Sequence, residues 1–153
     1  MRGHPLKSTH PVLSLGEMRL KETLTLRLSG GPTAPARART ALRSLDRTVA
    51  DLRDDVDLLV SELVTNSVQH ARVGPDDSIE MKLAVDERQI RVEIADHGPG
   101  FEPRPRGPDR HSRSGWGLYL VDQLSDRWGV SRTDGTAAWF EIDRDIDAQP
   151  PAR

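Results

Sequence analysis

The 153-residue chain contains no cysteine. Disulfides, thiolate metal sites and cysteine nucleophiles are therefore excluded, and a reducing cytoplasm is the expected compartment. No apolar run approaches the roughly 20 residues that cross a bilayer, so no membrane partner is expected. The N-terminal charges are not followed by the continuous apolar stretch of a signal peptide. Lysine is scarce, with only Lys7, Lys21 and Lys82 among 22 Lys and Arg residues. Together with the many Ala, Gly and Pro residues, this reads as the composition bias of a GC-rich genome. Excess charge is also absent: the formal net charge is −2, so nothing global argues for direct nucleic-acid binding.

What is present suits one domain with a substantial core. Hydrophobic residues make up 35% and charged residues 30%, a polar balance that disordered ends would partly explain. Residues 1–20 mix His, Pro, Ser and Gly without periodicity and read as a mobile N-terminal tail. Met18 stands just ahead of the first strand signal, so a start there would leave the domain whole. From Lys21 to Leu28, Leu24, Leu26 and Leu28 alternate with Thr23, Thr25 and Arg27, the pattern of a half-buried strand.

Residues 33–50 carry a helical stripe of Ala34, Ala38, Ala41, Leu42, Leu45 and Val49. A second helix is expected over about 55–72, with Asp54 and Asp55 capping it and complementing its dipole. Val56, Leu59, Val60, Leu63, Val64, Ser67 and Ala71 form its apolar face. Glu62, Asn66 and Gln69 lie on the other face, as does Leu58, which suggests that something covers Leu58 too. Ser78–Val85 and Gln89–Ala95 alternate as a hairpin around Asp86-Glu87-Arg88. Residues 97–114 form a long Gly/Pro-rich loop, a length that in a compact domain marks function or disorder. A helix over about 115–126 follows, then a hairpin of Trp128–Arg132 and Thr136–Ile142 around Asp134-Gly135. Residues 143–153 read as a mobile C-terminal tail. The order β-α-α-β-β-loop-α-β-β segregates strands from helices. It predicts an α+β, two-layer α/β sandwich, with a mostly antiparallel sheet and helices on one face.

Three short segments carry the chemistry. Glu62-Leu-Val-Thr-Asn66 puts a carboxylate and an amide four residues apart on one helix face. Asp96-His-Gly98-Pro-Gly100-Phe101 sets an acid at a strand end before a tight turn. Gly115-Trp-Gly117-Leu118 opens a helix with two glycines, which leaves backbone N–H groups clear for a phosphate. Each alone is weak; an isolated E-x-x-x-N is usually an exposed polar face. In this order and spacing they resemble the Bergerat-fold (GHKL) ATPases, the superfamily of gyrases, histidine kinases and anti-sigma-factor serine kinases. The resemblance covers about residues 22–142.

The wording of Glu62–Ala71 and Gly115–Val130 is closest to the stand-alone anti-sigma serine/threonine kinases. Ser67 stands where alanine is usual, and Trp116 where arginine or a smaller residue is more common. Trp116 either shields the nucleotide or, the better reading, packs under the loop. The resemblance implies an ATP site with Mg²⁺. Asn66 would ligate the metal, which favours oxygen ligands and keeps several waters. Glu62 would be the general base or an orienting acceptor. Asp96 would accept from the adenine amine, favouring adenine over guanine. Gly98 and Gly100 would let the backbone pass close to the base. Gly115, Gly117 and Leu118 would seat phosphates, and Thr136 would share a water or hydrogen bond with adenine. Arg104, Arg106, Arg110 and Arg113 are either a solvated basic loop or donors that reach the phosphates when the loop closes as an ATP lid. His70 and His97 are read as structural or solvent-facing.

The implied function is a partner switch. The protein would sequester a sigma factor and phosphorylate a serine of an anti-anti-sigma protein, acting as a homodimer. Two alternatives stay open: a nucleotide-gated binding module without phosphotransfer, and a detached histidine-kinase-type catalytic domain.

Overall fold

A computed structural model describes residues 22–45, 49–70, 73–97, 116–132 and 135–145. Five strands form one antiparallel sheet: β1 (Glu22–Ser29), β2 (Ser78–Val85), β3 (Gln89–Asp96), β4 (Arg127–Ser131) and β5 (Thr136–Asp143). Their order is β1-β2-β3-β5-β4. Among the described residues there are three α-helices, α1 (Ala34–Leu42), α2 (Arg53–His70) and α3 (Trp116–Leu124). This is the two-layer α+β architecture that the segregated order of elements predicts.

The alternation in the strands is a consequence of pleating, which sends successive side chains to opposite faces. Leu83 pairs with Val92, Val92 with Phe140, and Ile90 with Ile142, so one face becomes a continuous apolar ladder. Val56, Leu59, Val60, Leu63 and Val64 of α2 join that ladder in a single core. At about 25 cal/mol per Å² of apolar surface removed from water, such a two-sided interface is the main stabilising contribution. The turn between β2 and β3 is built by Asp86, whose Oδ1 accepts from Arg88 N (2.7 Å) and Gln89 N (2.8 Å). That short-range bonding is why Asp suits the position.

The opposite face of the sheet holds an ion-pair network. Arg91 and Glu141 face each other across β3 and β5. Arg91 Nη1 donates to Glu141 Oε1 at 2.7 Å, with both side chains nearly fully buried. The Arg91 guanidinium also lies 4.4 Å from the Trp139 ring centroid, a cation–π contact. Arg127 donates from Nε to the other Glu141 oxygen at 2.6 Å and also pairs with Asp143.

Three expectations need correction. The stripe over 33–50 is not one helix: α1 ends at Leu42 and passes into a 3-10 turn over Arg43–Leu45. The core contacts survive because Leu45 and Val49 are still buried. Asp54 and Asp55 do not cap α2 but sit inside its first turn. Leu52, whose carbonyl accepts from Val56 N at 2.9 Å, holds the cap position; the acids still complement the helix dipole. The ordered chain also runs past residue 142. β5 continues to Asp143, Arg144 N donates to Arg88 O at 2.7 Å, and Arg144 grips Asp51 at 3.0 and 3.2 Å. The expected N-terminal tail, and the expected lid apart from His97, lie outside the described residues. Among the described residues no helix is long and apolar enough to cross a membrane.

Removing one member of a buried ion pair strands its partner in low dielectric. Glu141→Ala is therefore expected to cost about 3 kcal/mol of unfolding free energy in urea titrations. A loss below about 1 kcal/mol would show that Arg91 is solvated rather than buried.

Candidate functional site

Helix α2 shows one buried and one outward face. Ser67 is buried with the apolar residues of the first, whereas Glu62 and Asn66 are half-buried on the second. Leu58, Glu62 and Asn66 recur every four residues, so they form one slowly rotating stripe, each about 6 Å along the axis from the next. Burial from water raises the Glu62 carboxyl above its ordinary value, because a carboxylate loses hydration when covered. Beside it, Arg39 of α1 donates from Nη1 to Ser61 Oγ at 2.8 Å, and Ser61 Oγ donates to Asp57 O at 2.7 Å. This tie between α1 and α2, one residue from Glu62, carries no signal in sequence spacing.

Asp96 and Thr136 are brought together from distant parts of the chain. They are opposite partners at the end of the β3–β5 ladder. By the two-residue period they share the face of Ile94 and Ala138, toward the helices. Both are buried, each 3% exposed. The Asp96 Oδ2 atom is buried and accepts no hydrogen bond among the described residues, although the residue has other interactions. Gly135 fixes the approach. Its φ is +92°, and a Cβ there would lie 2.1 Å from the Asp96 carbonyl oxygen. Only glycine fits both the conformation and the space. Sequence spacing marks Gly135 only as a hairpin turn residue; its close approach to the Asp96 backbone depends on the β3–β5 register.

Gly117 lies in the first turn of α3 and Leu118 is buried on it. Helix α3 packs on α2, and Asp122 Oδ1 accepts from Trp128 Nε1 at 2.9 Å, fastening the helix to β4. Gly98, Gly100 and Gly115 lie outside the described residues, as do the four loop arginines. His97 is exposed. Among the described residues no group of three or more His, Asp or Glu side chains could cage a metal ion. Mg²⁺, which takes few protein oxygens and keeps water ligands, needs no such group.

A model of the histidine kinase-like ATPase domain matches residues 31–142, most of the chain. The chain belongs to that family. The matched span contains α2, both members of the Asp96–Thr136 pair and Gly135. Similar proteins include the serine-protein kinase RsbW of Listeria monocytogenes serotype 4a (strain HCC23). It is 28% identical over 122 residues, covering 70% of this chain and 78% of that protein. The serine-protein kinase RsbW of Bacillus subtilis (strain 168) is 32% identical over 94 residues, covering 54% of this chain and 59% of that protein. That of Bacillus pumilus (strain SAFR-032) is 31% identical over 96 residues, with the same coverage of 54% and 59%.

Gly135→Ala combines a left-handed backbone with a backbone clash, and is expected to lower stability by about 2 kcal/mol. The thermal midpoint measures this. An unchanged midpoint would mean that the turn relaxes freely and does not pin Thr136 to Asp96.

Proposed function

We propose that this protein is an Mg-ATP-dependent serine kinase that also sequesters a sigma factor. The observation that carries the reading is one placement. Glu62 and Asn66 share a stripe of α2, while the paired, buried Asp96 and Thr136 end the sheet on which α2 packs. Membership of an ATPase family and similarity to proteins named serine-protein kinase support it.

Asn66 would hold Mg²⁺ through its Oδ1, and the ion would supply neutralisation of phosphate charge. Asp96 accepts from the adenine amine, and Thr136 bonds the same edge directly or through water. The family resemblance would assign Gly98 and Gly100 to the base and Gly115, Gly117 and Leu118 to the phosphates; of these, Gly117 and Leu118 lie among the described residues. Glu62 accepts the proton of the incoming serine hydroxyl. The hydroxyl oxygen bonds the γ-phosphorus, the bond from that phosphorus to the β,γ-bridging oxygen breaks, and ADP departs with the electron pair. The acceptor is an anti-anti-sigma protein, and its new phosphate adds about −1.5 to −2 charge at the docking surface. The modified partner then leaves, and the kinase returns to the sigma factor. A cytoplasmic homodimer is part of this reading.

Incubation with γ-labelled ATP, Mg²⁺ and each anti-anti-sigma-type domain of the same organism tests it. Acid-stable label on one domain, absent with Glu62→Ala, is the expected result. ATP binding without label on any domain would instead indicate a nucleotide-gated adaptor. By calorimetry, Asn66→Ala and Asp96→Asn should each weaken Mg-ATP binding about ten-fold or more, while Glu62→Ala spares it. Equal affinity in all four proteins would refute the site.

The pH dependence has a definite sign. A base works only when deprotonated, and burial raises the Glu62 pKa. Turnover should therefore fall with acid at a higher pH than an unperturbed glutamate would give. The raised value also means that ionised Glu62 opposes folding at neutral pH. Glu62→Gln should accordingly melt no lower than wild type at pH 7. A lower midpoint would make Glu62 a structural residue.

A further inference from the structure

Among the described residues Leu58 is the large hydrophobic side chain left exposed, at 39%. A single exposed leucine is ordinary on a protein surface. Its position is what gives it meaning. Leu58 precedes Glu62 by one helical turn, as Glu62 precedes Asn66. The stripe rotates as it runs, so Leu58 points most directly outward and Asn66 lies nearest the core. Leu58 is accordingly exposed, whereas Glu62 and Asn66 are both half-buried.

Phosphoryl transfer places the attacking and leaving oxygens roughly in line, on opposite sides of the phosphorus. With the phosphates on the Asn66 side of Glu62, the acceptor hydroxyl must arrive from the Leu58 side. Resting on the kinase reading above, we propose that Leu58 is a specificity-determining contact for the protein acceptor. Its occupant is an apolar side chain near the acceptor hydroxyl, on the same segment. An extended segment advances about 3.3 Å per residue, with every second side chain on one face. The distance of about 6 Å from Glu62 to Leu58 therefore corresponds to a side chain two residues from the hydroxyl. Asp54 and Asp55, one turn further out on α2, disfavour an acidic residue beyond it.

The test uses the full chain and the acceptor domain that takes label in the transfer assay. Leu58→Ala should raise the KM for that acceptor about ten-fold, the scale of a few lost methylenes, with kcat and ATP affinity unchanged. Leu58→Met should restore it. Truncating the apolar acceptor side chain two residues from the hydroxyl should raise KM similarly in wild type and add little in Leu58→Ala, as coupled contacts do. An unchanged acceptor KM, with label still transferred, would overturn this inference and leave the kinase reading intact. A lower melting point in Leu58→Ala with unchanged KM would also overturn it, since Leu58 would then be covered by this chain's own residues. Absence of label on every acceptor domain, with ATP bound, would overturn both readings.

Discussion

The pairing of β3 with β5 is the constraint on which the rest of the molecule depends. It joins two parts of the chain that lie on either side of the Gly/Pro-rich segment. Because side chains alternate with a period of two, a slip of one residue would reverse every face. The observed register satisfies three demands together. Ile90, Val92 and Ile94 meet Ile142, Phe140 and Ala138 on the helix face. Arg91 meets Glu141 on the other face, and Asp96 meets Thr136 at the end. The buried ion pair makes alternative registers expensive, because a slipped strand would leave Arg91 without Glu141 in low dielectric. The apolar ladder supplies the stabilisation, and the charges select which ladder forms.

Helix α2 translates that framework into a surface. One side is fixed by Val56, Leu59, Val60, Leu63 and Val64 in the core, which determines where the opposite side points. Glu62 is held partly out of water at the cost of a raised pKa. Arg39, bonded to Ser61, ties α1 to the same stretch. A carboxylate placed this way is less stable as an ion than one in solvent.

Much of the fold is legible in the sequence because strand alternation is a local signal. Ser78–Val85 and Gln89 onward read directly as strands, and Leu24, Leu26 and Leu28 identify the buried side of β1. The end of α1 is not legible. Spacings of three and four suit an α-helix and a 3-10 turn alike, and neither glycine nor proline marks the break after Leu42. The role of Arg144 is hidden for a different reason: its partners Asp51 and Asp86 are distant in sequence. The Arg91–Glu141 pair, fifty residues apart, appears only once the register is known. The site follows the same division. The local stripe Glu62–Asn66 is visible in a single helix turn. Asp96 and Thr136 can each be singled out, but their adjacency, and the need for glycine at 135, depend on a non-local ladder.

The central claim is that this ladder and the α2 stripe form one nucleotide site. A crystal structure of the full chain with Mg²⁺ and a non-hydrolysable ATP analogue tests it most directly. The account predicts adenine against Asp96 and Thr136, the metal on Asn66 Oδ1, and the γ-phosphate facing Glu62 with its open side toward Leu58. Adenine bound away from Asp96, or a metal held without Asn66, would contradict it.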